Sequence, residues 1–179
     1  MTDAVHDSLL AYLDATGLSH EPGARAGEVV VELPGEKKLK TVTSVVVGES
    51  ALSAVAFVVR NPDENHERVY RYLLRKNLRL PGAAYAIDRS GDVYVVARLP
   101  LSAVDDASLD ALFGVVLDAA DSHFNELLAL GFLSSMKKEW EWRISRGESL
   151  RNLAAFRRLL EDETGLAAPD GGSGEPEGR

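Results

Sequence analysis

Residues 58–113 read VVRNPDENHERVYRYLLRKNLRLPGAAYAIDRSGDVYVVARLPLSAVDDASLDALF, and this stretch decides the fold. Its first part predicts a helix from Asn61 to about Asn77. Asn61 is the expected N-cap, Pro62 occupies the first helical position, and Glu64 completes a capping box. The apolar residues that follow recur at helical spacing, so this helix has one face for a core and one for solvent.

The second part of the stretch predicts a β-hairpin. Its strands are residues 83–88 and 93–99, and Gly91 in the turn between them can adopt a positive φ. Upstream, three more β-rich runs are joined by connections that are short enough only for antiparallel hairpins. These three strands are predicted at residues 28–33, 39–47 and 52–59.

Two further helices frame the predicted strands. One runs from the N-terminus to about Ala15, where the apolar residues have three- and four-residue spacing. The other is a long amphipathic helix from about Ala107 to Gly131, with Asp105 and Asp106 favouring its positive N-terminal end. The order α-β-β-β-α-β-β-α predicts an α+β fold with an antiparallel sheet of about five strands.

Three segments of different composition are expected. Residues 1–131 form the α+β domain, residues 132–162 form a charged helical extension, and residues 163–179 form a disordered acidic tail. Residues 137–158 contain seven Lys or Arg against three Glu, whereas residues 161–179 contain six acidic residues and only Arg179. Positive and negative charges are therefore concentrated in different segments of the chain.

Composition excludes several classes of protein. The 179 residues include no cysteine, which excludes disulfides, thiolate nucleophiles and Cys-ligated metal sites. The N-terminal residues 1–17 contain three Asp and no Lys or Arg, unlike a signal peptide, and the most apolar stretch is too short for a bilayer. We therefore expect a cytoplasmic protein that has no membrane partner. A net charge of −8 disfavours broad nucleic-acid binding.

The predicted sheet is apolar on both faces. In residues 52–59 and 93–99, both alternating sets of side chains are rich in Val, Ala and Leu. An antiparallel sheet with one solvated face should alternate more cleanly. The second face is therefore expected to be covered, either by the chain's own helices or by a dimer partner or an extended client peptide. Free sheet edges are also sites for strand addition.

The order of elements, with residues 58–113 at its centre, resembles the YbjN-like family. The resemblance covers residues 1–131 and includes the Asn61-Pro62 helix entry and the hairpin with Tyr85, Asp88 and Gly91. Members are labelled bacterial sensory transduction regulators, and their fold is similar to that of class I chaperones of type III secretion. The resemblance implies a small acidic homodimer that binds a segment of another protein without ATP.

The helix at 61–77 carries a basic stripe that is a candidate partner-binding site. Guanidinium groups bind oxyanions, and an aromatic ring beside them can stack on a base. The alternative is an ordinary solvated helix face. The stripe consists of Arg68, Arg71, Arg75 and Arg79, with Tyr72 among them.

Trp140 and Trp142 are further candidate partner-binding residues in the basic helical extension. Two tryptophans that are two residues apart cannot share one helix face. At least one is expected to meet the body of the domain or another chain, because tryptophans beside Lys and Arg are typical of interface hot spots. Packing within the monomer is the alternative.

No catalytic, metal or cofactor site is predicted. The four histidines lack helical metal-ligand spacing, and no phosphate-binding loop or nucleophile elbow is present. Asp118, Asp121, His123 and Glu126 are interpreted as exposed residues on the polar side of the long helix.

The sequence thus favours a non-enzymatic, chaperone-like or regulatory protein-binding module. It dimerises and holds a segment of a client protein whose identity the sequence does not give. Two alternatives stay open. One is a regulator that contacts nucleic acid through the basic helices. The other is a small-ligand sensor with a pocket between the sheet and the long helix.

Overall fold

The computed structural model describes residues 2–168. The chain divides into two compact units, Met1–Gly131 and Phe132–Arg179, and each is described by itself. No helix among the described residues is both long and apolar enough to cross a bilayer.

The first unit contains four helices and six strands within its described residues. In chain order they are α1 (Thr2–Thr16), β1 (Ser19–Pro22), β2 (Glu28–Pro34), β3 (Lys40–Val47), β4 (Ala51–Val59), α2 (His66–Asn77), β5 (Ala83–Ile87), β6 (Val93–Pro100), α3 (Asp106–Ser122) and α4 (Phe124–Gly131).

The strands form one antiparallel sheet in the order β1-β2-β3-β4-β6-β5. The α+β class and the five predicted strands are confirmed. The short strand β1 was not predicted, because its residues Ser-His-Glu-Pro have no apolar alternation. It exists through pairing with β2, where Ser19 lies opposite Glu32 and Pro22 lies opposite Val29.

One face of the sheet builds the core. In β4, Leu52, Ala54 and Ala56 are buried, and they lie on this face with the buried residues of the neighbouring strands. Helices α3 and α1 pack here, and the rings of Tyr12 and Phe113 stack with their centres 5.9 Å apart. Period-two alternation along the strands therefore separates a core face from an outward face.

The β5–β6 turn forms as predicted. Gly91 has φ of +85°, and a side chain there would collide with Asn61. The Asp88 carboxylate accepts the backbone N–H groups of Ser90 at 2.8 Å and Asp92 at 2.9 Å. Glycine is thus required both by the backbone conformation and by the close approach of residue 61.

The predicted start of α2 is wrong. The helix begins at His66 rather than Pro62, and its N-cap is Asn65, with φ of 55° and no side-chain capping bond. The backbone N–H groups of Asp63 and Glu64 instead donate to the carbonyl of Gly131, at 2.9 and 3.2 Å. Residues 61–65 therefore close the C-terminal end of α4, a long-range role that local sequence does not reveal.

The predicted long helix is interrupted. It is divided into α3 and α4 at His123, whose backbone leaves the helical conformation with φ of −102° and ψ of 3°. The break redirects the chain, and α4 packs against α2 and β4. The predicted acidic N-terminus of α3 is confirmed, because the Asp105 carboxylate accepts the Ser108 backbone N–H at 2.8 Å.

Asp121 is buried, which corrects its interpretation as an exposed residue. Its carboxylate accepts three backbone N–H groups of the β2–β3 turn: Glu36 at 3.2 Å, Lys37 at 2.9 Å and Lys38 at 2.7 Å. A Cβ atom at Gly35 would collide with this carboxylate. One side chain of α3 therefore holds the turn that sets the β2–β3 pairing.

The second unit is helical in its described part. It contains α5 (Leu133–Arg146) and α6 (Arg157–Thr164), with a 3₁₀ segment, Arg151–Phe156, between them. Glu163 lies within α6 and pairs with Lys137 at 3.0 Å, so the predicted tail boundary at residue 163 falls inside a helix. The rest of the predicted disordered tail, from residue 169 on, lies outside the described residues.

The first prediction concerns Asp121. Replacement Asp121→Ala should lower the free energy of unfolding by about 2–3 kcal/mol, because three backbone donors lose a charged acceptor. Chemical denaturation measures this loss, and Asp118→Ala, which removes an exposed carboxylate from the same helix, is the control. Equal stability of the two variants would contradict the role of Asp121.

The second prediction concerns two buried hydroxyls. Thr41 and Thr43 lie fully buried on the core face of β3, and among the described residues their hydroxyl oxygens have no hydrogen-bond partner. Replacement Thr43→Val should raise the free energy of unfolding by about 1 kcal/mol, because it removes an unsatisfied polar group while retaining shape. Thr16→Val is the control, because that hydroxyl bonds to the Tyr12 carbonyl at 2.9 Å. A loss of stability in Thr43→Val would show that this hydroxyl is satisfied in solution.

Candidate protein-binding surface

The outward face of the sheet is a candidate binding surface. We call it the open face, and its apolar members are Val30, Val42, Val46, Val55, Phe57, Tyr94, Val96 and Ala84. Val42 is 43% exposed, and Val55 and Phe57 are each 38% exposed. Isolated exposed apolar residues are common on proteins, but a contiguous apolar field on one sheet face is typical of an interaction site.

This exposure corrects the expectation that the chain's own helices cover the second face. Along each strand, buried side chains alternate with partly exposed ones, as in an antiparallel sheet with one solvated face. What is unusual is that the exposed set is largely apolar. Of the two covers that the sequence allowed for this face, the chain's own helices leave these residues partly exposed.

A shallow groove crosses one half of the open face. It has a volume of about 480 Å³ and lies over β4, β6 and β5. Small side chains form its floor, which leaves space above the sheet for an apolar side chain of a ligand. Its outward lining includes Ser53, Val55, Ala84, Val96 and Arg98.

Lys38 borders the open face beside Phe57. Its ammonium donates to the Phe57 carbonyl and lies 5.2 Å from the centre of the Phe57 ring and 5.9 Å from that of Phe124. Burial lowers the pKa of Lys38 to about 8, although the nearby Asp121 carboxylate opposes this shift. The turn held by Asp121 thus fixes a cation against an aromatic ring at the margin of the surface.

A second apolar groove lies between α2 and β5. We call it the α2–β5 groove; its volume is about 310 Å³. The most exposed apolar residues nearby are Leu78 at 86%, Leu74 at 65% and Ile87 at 49%. Its lining consists of Tyr70, Leu73, Leu74, Asn77, Tyr85, Ala86 and Ile87.

The free edge of β5 is partly closed by Asn77. The Asn77 side chain accepts the Tyr85 backbone N–H at 2.7 Å and donates to the Tyr85 carbonyl at 3.3 Å. It therefore makes both hydrogen bonds that a neighbouring strand would make at this position. Strand addition along the whole β5 edge, which the sequence allowed, would have to displace this amide.

Three of the four arginines of the predicted basic stripe lie on α2, and Arg79 follows the end of the helix at Asn77. All four, Arg68, Arg71, Arg75 and Arg79, are exposed, and Arg71 pairs with Glu67 at 2.9 Å. Tyr72 is not displayed beside them, since its hydroxyl donates to Glu126 and its ring lies edge-on to His123, 6.0 Å between centres. The aromatic ring that was expected to stack on a base is instead part of the α2–α4 contact.

The two tryptophans have different environments. Trp140 is fully buried, and its indole N–H donates to the Leu166 carbonyl at 3.0 Å within the second unit. Trp142 is 47% exposed, and the Arg146 guanidinium lies 5.6 Å from the centre of its ring. Trp142 is thus the tryptophan that a partner can contact in this structure.

Polar residues near the α3–α4 break form a small network. The Glu126 carboxylate accepts from Tyr72 and lies 3.2 Å from Nδ1 of His123, and these contacts lower the pKa of Glu126. Burial and the same carboxylate raise the pKa of Tyr72. The network joins α2 to α4. Within residues 2–168, no three His, Asp or Glu side chains are grouped to hold a metal ion.

Solved structures with this fold include a chaperone-effector complex. The chain is similar to one in the crystal structure of the ExsC-ExsE complex, with a TM-score of 0.54 and 17% identity over 71% of this chain and 96% of the other. It is also similar to one in the HopA1-SchA chaperone-effector complex, with a TM-score of 0.50 and 11% identity over 67% and 91%. At these identities the similarity establishes the fold alone.

Sequence comparison gives closer relatives. An uncharacterized protein of Mycobacterium leprae is 55% identical over 75% of this chain and 73% of its own length. An uncharacterized protein of Mycobacterium tuberculosis is 55% identical over 77% of this chain and 75% of its own length. The profile of the YbjN family, described as "Putative bacterial sensory transduction regulator", matches residues 6–129. The predicted resemblance is confirmed, and the chain belongs to the YbjN family.

Proposed function

We propose that this protein is a non-enzymatic, chaperone-like or regulatory module that dimerises and holds a segment of a client protein. The observation that carries the proposal is the partly exposed, largely apolar open face of a well-packed sheet. Val55 and Phe57 are already more than half buried, so covering each adds only part of the about 1.5–3 kcal/mol of full burial, and a client segment must cover several such side chains to bind.

The fold supports the same proposal. Among the solved structures that share it, one is titled a chaperone-effector complex, and the family description names a regulator. A chaperone binds another protein, and a regulator can act in the same way, so one protein-binding surface would serve either role. The open face supplies the apolar surface that such binding uses.

The α2–β5 groove is the proposed dimer interface. A two-fold interface must be self-complementary, so one patch has to contain both a protrusion and a cavity. Leu74 and Leu78 protrude beside the groove, which is large enough for a leucine side chain. A two-fold axis through Leu74 places Leu78 of one copy opposite Tyr70 of the other.

The exposed arginines of the basic stripe, at the edge of this interface, remain predicted contacts for partners. Trp142, in the second unit, is the other predicted contact.

Client capture tests the function. Tagged wild-type protein is expected to retain a discrete polypeptide from a lysate of the source organism, identified by mass spectrometry. Val55→Asp should reduce its recovery about tenfold or more, because it places a charge in the apolar field. Leu39→Asp, which alters a leucine that is 90% exposed outside the open face, is the matched control. Overlapping synthetic peptides of the captured protein then locate the segment. Recovery of nucleic acid or a small molecule, with no protein beyond this chain, would contradict the proposal.

Oligomeric state tests the interface. Light scattering should give the mass of a dimer for the wild type and of a monomer for Leu74→Glu/Leu78→Glu, because two carboxylates would meet at the two-fold axis and two more would each face Tyr70 of the other copy. Leu39→Glu is the control and should remain dimeric. A wild-type monomer at micromolar concentration, or a dimer that the double variant leaves intact, would show that this groove is not the interface.

A further inference from the structure

The open face has an acidic border, and this border specifies the chemistry of its ligand. We infer that the client segment is apolar and carries lysine or arginine at one end, and that this basic end lies over β1 and β2. The inference rests on the proposed function and adds the composition and direction of the segment.

Strand register produces the border. One cross-strand row of the open face runs from Glu21 on β1 through Val30, Ser44 and Val55 to Val96 on β6. It begins with a carboxylate and becomes apolar towards the centre of the sheet. A ligand that crosses the strands therefore meets a negative charge at one end only.

The neighbouring rows repeat this polarity. One row runs from Glu28 on β2 through Val46 and Ser53 to Arg98 on β6. The other places Glu32 on β2 beside Val42 on β3. All three carboxylates thus lie on β1 and β2, while β4, β6 and β5 contribute apolar or small residues and, at the far margin, one arginine.

The border remains negative after its internal contacts are counted. Glu32 is paired with Lys40 at 2.5 Å, which balances its charge. The Ser44 hydroxyl and the Arg25 backbone N–H hold Glu28 ionised, since both lower its pKa, and the nearby charge of Arg25 acts in the same direction and offsets part of the negative charge. Glu21 is exposed on the edge strand. Glu21 and Glu28 together attract a cation, and they repel the phosphates of a nucleic acid or of an anionic lipid surface.

The dimensions of the sheet set the length of the segment. Four strand spacings of about 4.8 Å separate β1 from β6, which gives a span of about 19 Å. An extended peptide covers this distance in about six residues, at about 3.3 Å per residue. The expected ligand therefore has one or two basic residues followed by about six residues that are largely apolar. Arg98 at the far margin favours an acidic or neutral end there.

Two fluorescent peptides of about ten residues test the inference directly. Both contain the same alternating leucine, serine and valine run, but one begins with two lysines and the other with two glutamates. Fluorescence anisotropy with the full chain at low salt should give an affinity about fivefold higher for the lysine peptide. Molar salt should remove this difference, because exposed charges are screened.

Three variants separate the charge from the apolar surface. Glu21→Lys should abolish or invert the preference for the lysine peptide. Asp7→Lys makes the same charge change at an exposed position of α1 and should leave the preference unchanged. Val55→Asp should weaken the binding of both peptides about tenfold or more.

The outcomes distinguish a failure of the charge assignment from a failure of the proposed client-holding function. Equal affinity for both peptides, with both lost in Val55→Asp, would overturn the charge assignment and leave the client-holding function standing. Affinity for neither peptide would overturn both. If Val55→Asp instead converts a dimer into a monomer, the face is covered by a second copy and the inference is wrong.

Discussion

The pairing of β4 with β6 is the constraint on which the rest of the structure depends. These strands are adjacent in the sheet although α2 and β5 lie between them in the chain. Once Ala54 lies opposite Ala97, the two-residue period assigns the side chains from Leu52 to Phe57, and those opposite them on β6, alternately to the core and to the open face. A slip by one residue would bury the outward set under α3 and expose the core set, so the core and the open face are fixed by the same register.

Local signals predicted the elements whose stability is local. Alternating apolar residues located five strands, Gly91 located a turn, and Asp105 located the start of α3, because each depends on residues close in sequence. The start of α2 was wrong because its determinant is the carbonyl of Gly131, which accepts from Asp63 and Glu64. The strand β1 was missed because it owes its conformation to β2 rather than to its own residues.

The surface was predictable in composition but not in arrangement. Helical spacing correctly predicted exposed arginines on α2 but extended the helix to Arg79, which lies beyond its end at Asn77, and the apolar character of both sheet faces was visible in the strands. Spacing did not show that Tyr72 contacts Glu126 and His123, nor that Asn77 makes the edge hydrogen bonds of Tyr85. The burial of Asp121 was also missed, because a carboxylate on the polar side of a helix gives no sign of the backbone turn it will bind. For Tyr72 and Asp121 the deciding partner lies far along the chain, and for Asn77 it lies in the next strand.

Membership of the YbjN family fixes the fold but leaves the ligand to the outward side chains. The core positions, such as Leu52 and Ala56, must fit beneath α3, and changing them alters stability before it alters binding. The outward positions do not have to fit beneath α3, since Val55 and Phe57 contribute little packing to the core. Solvation alone would favour polar residues there. An apolar field at these positions, bordered by carboxylates on only two of the six strands, therefore indicates a requirement that folding does not impose, and the proposed client segment would account for it.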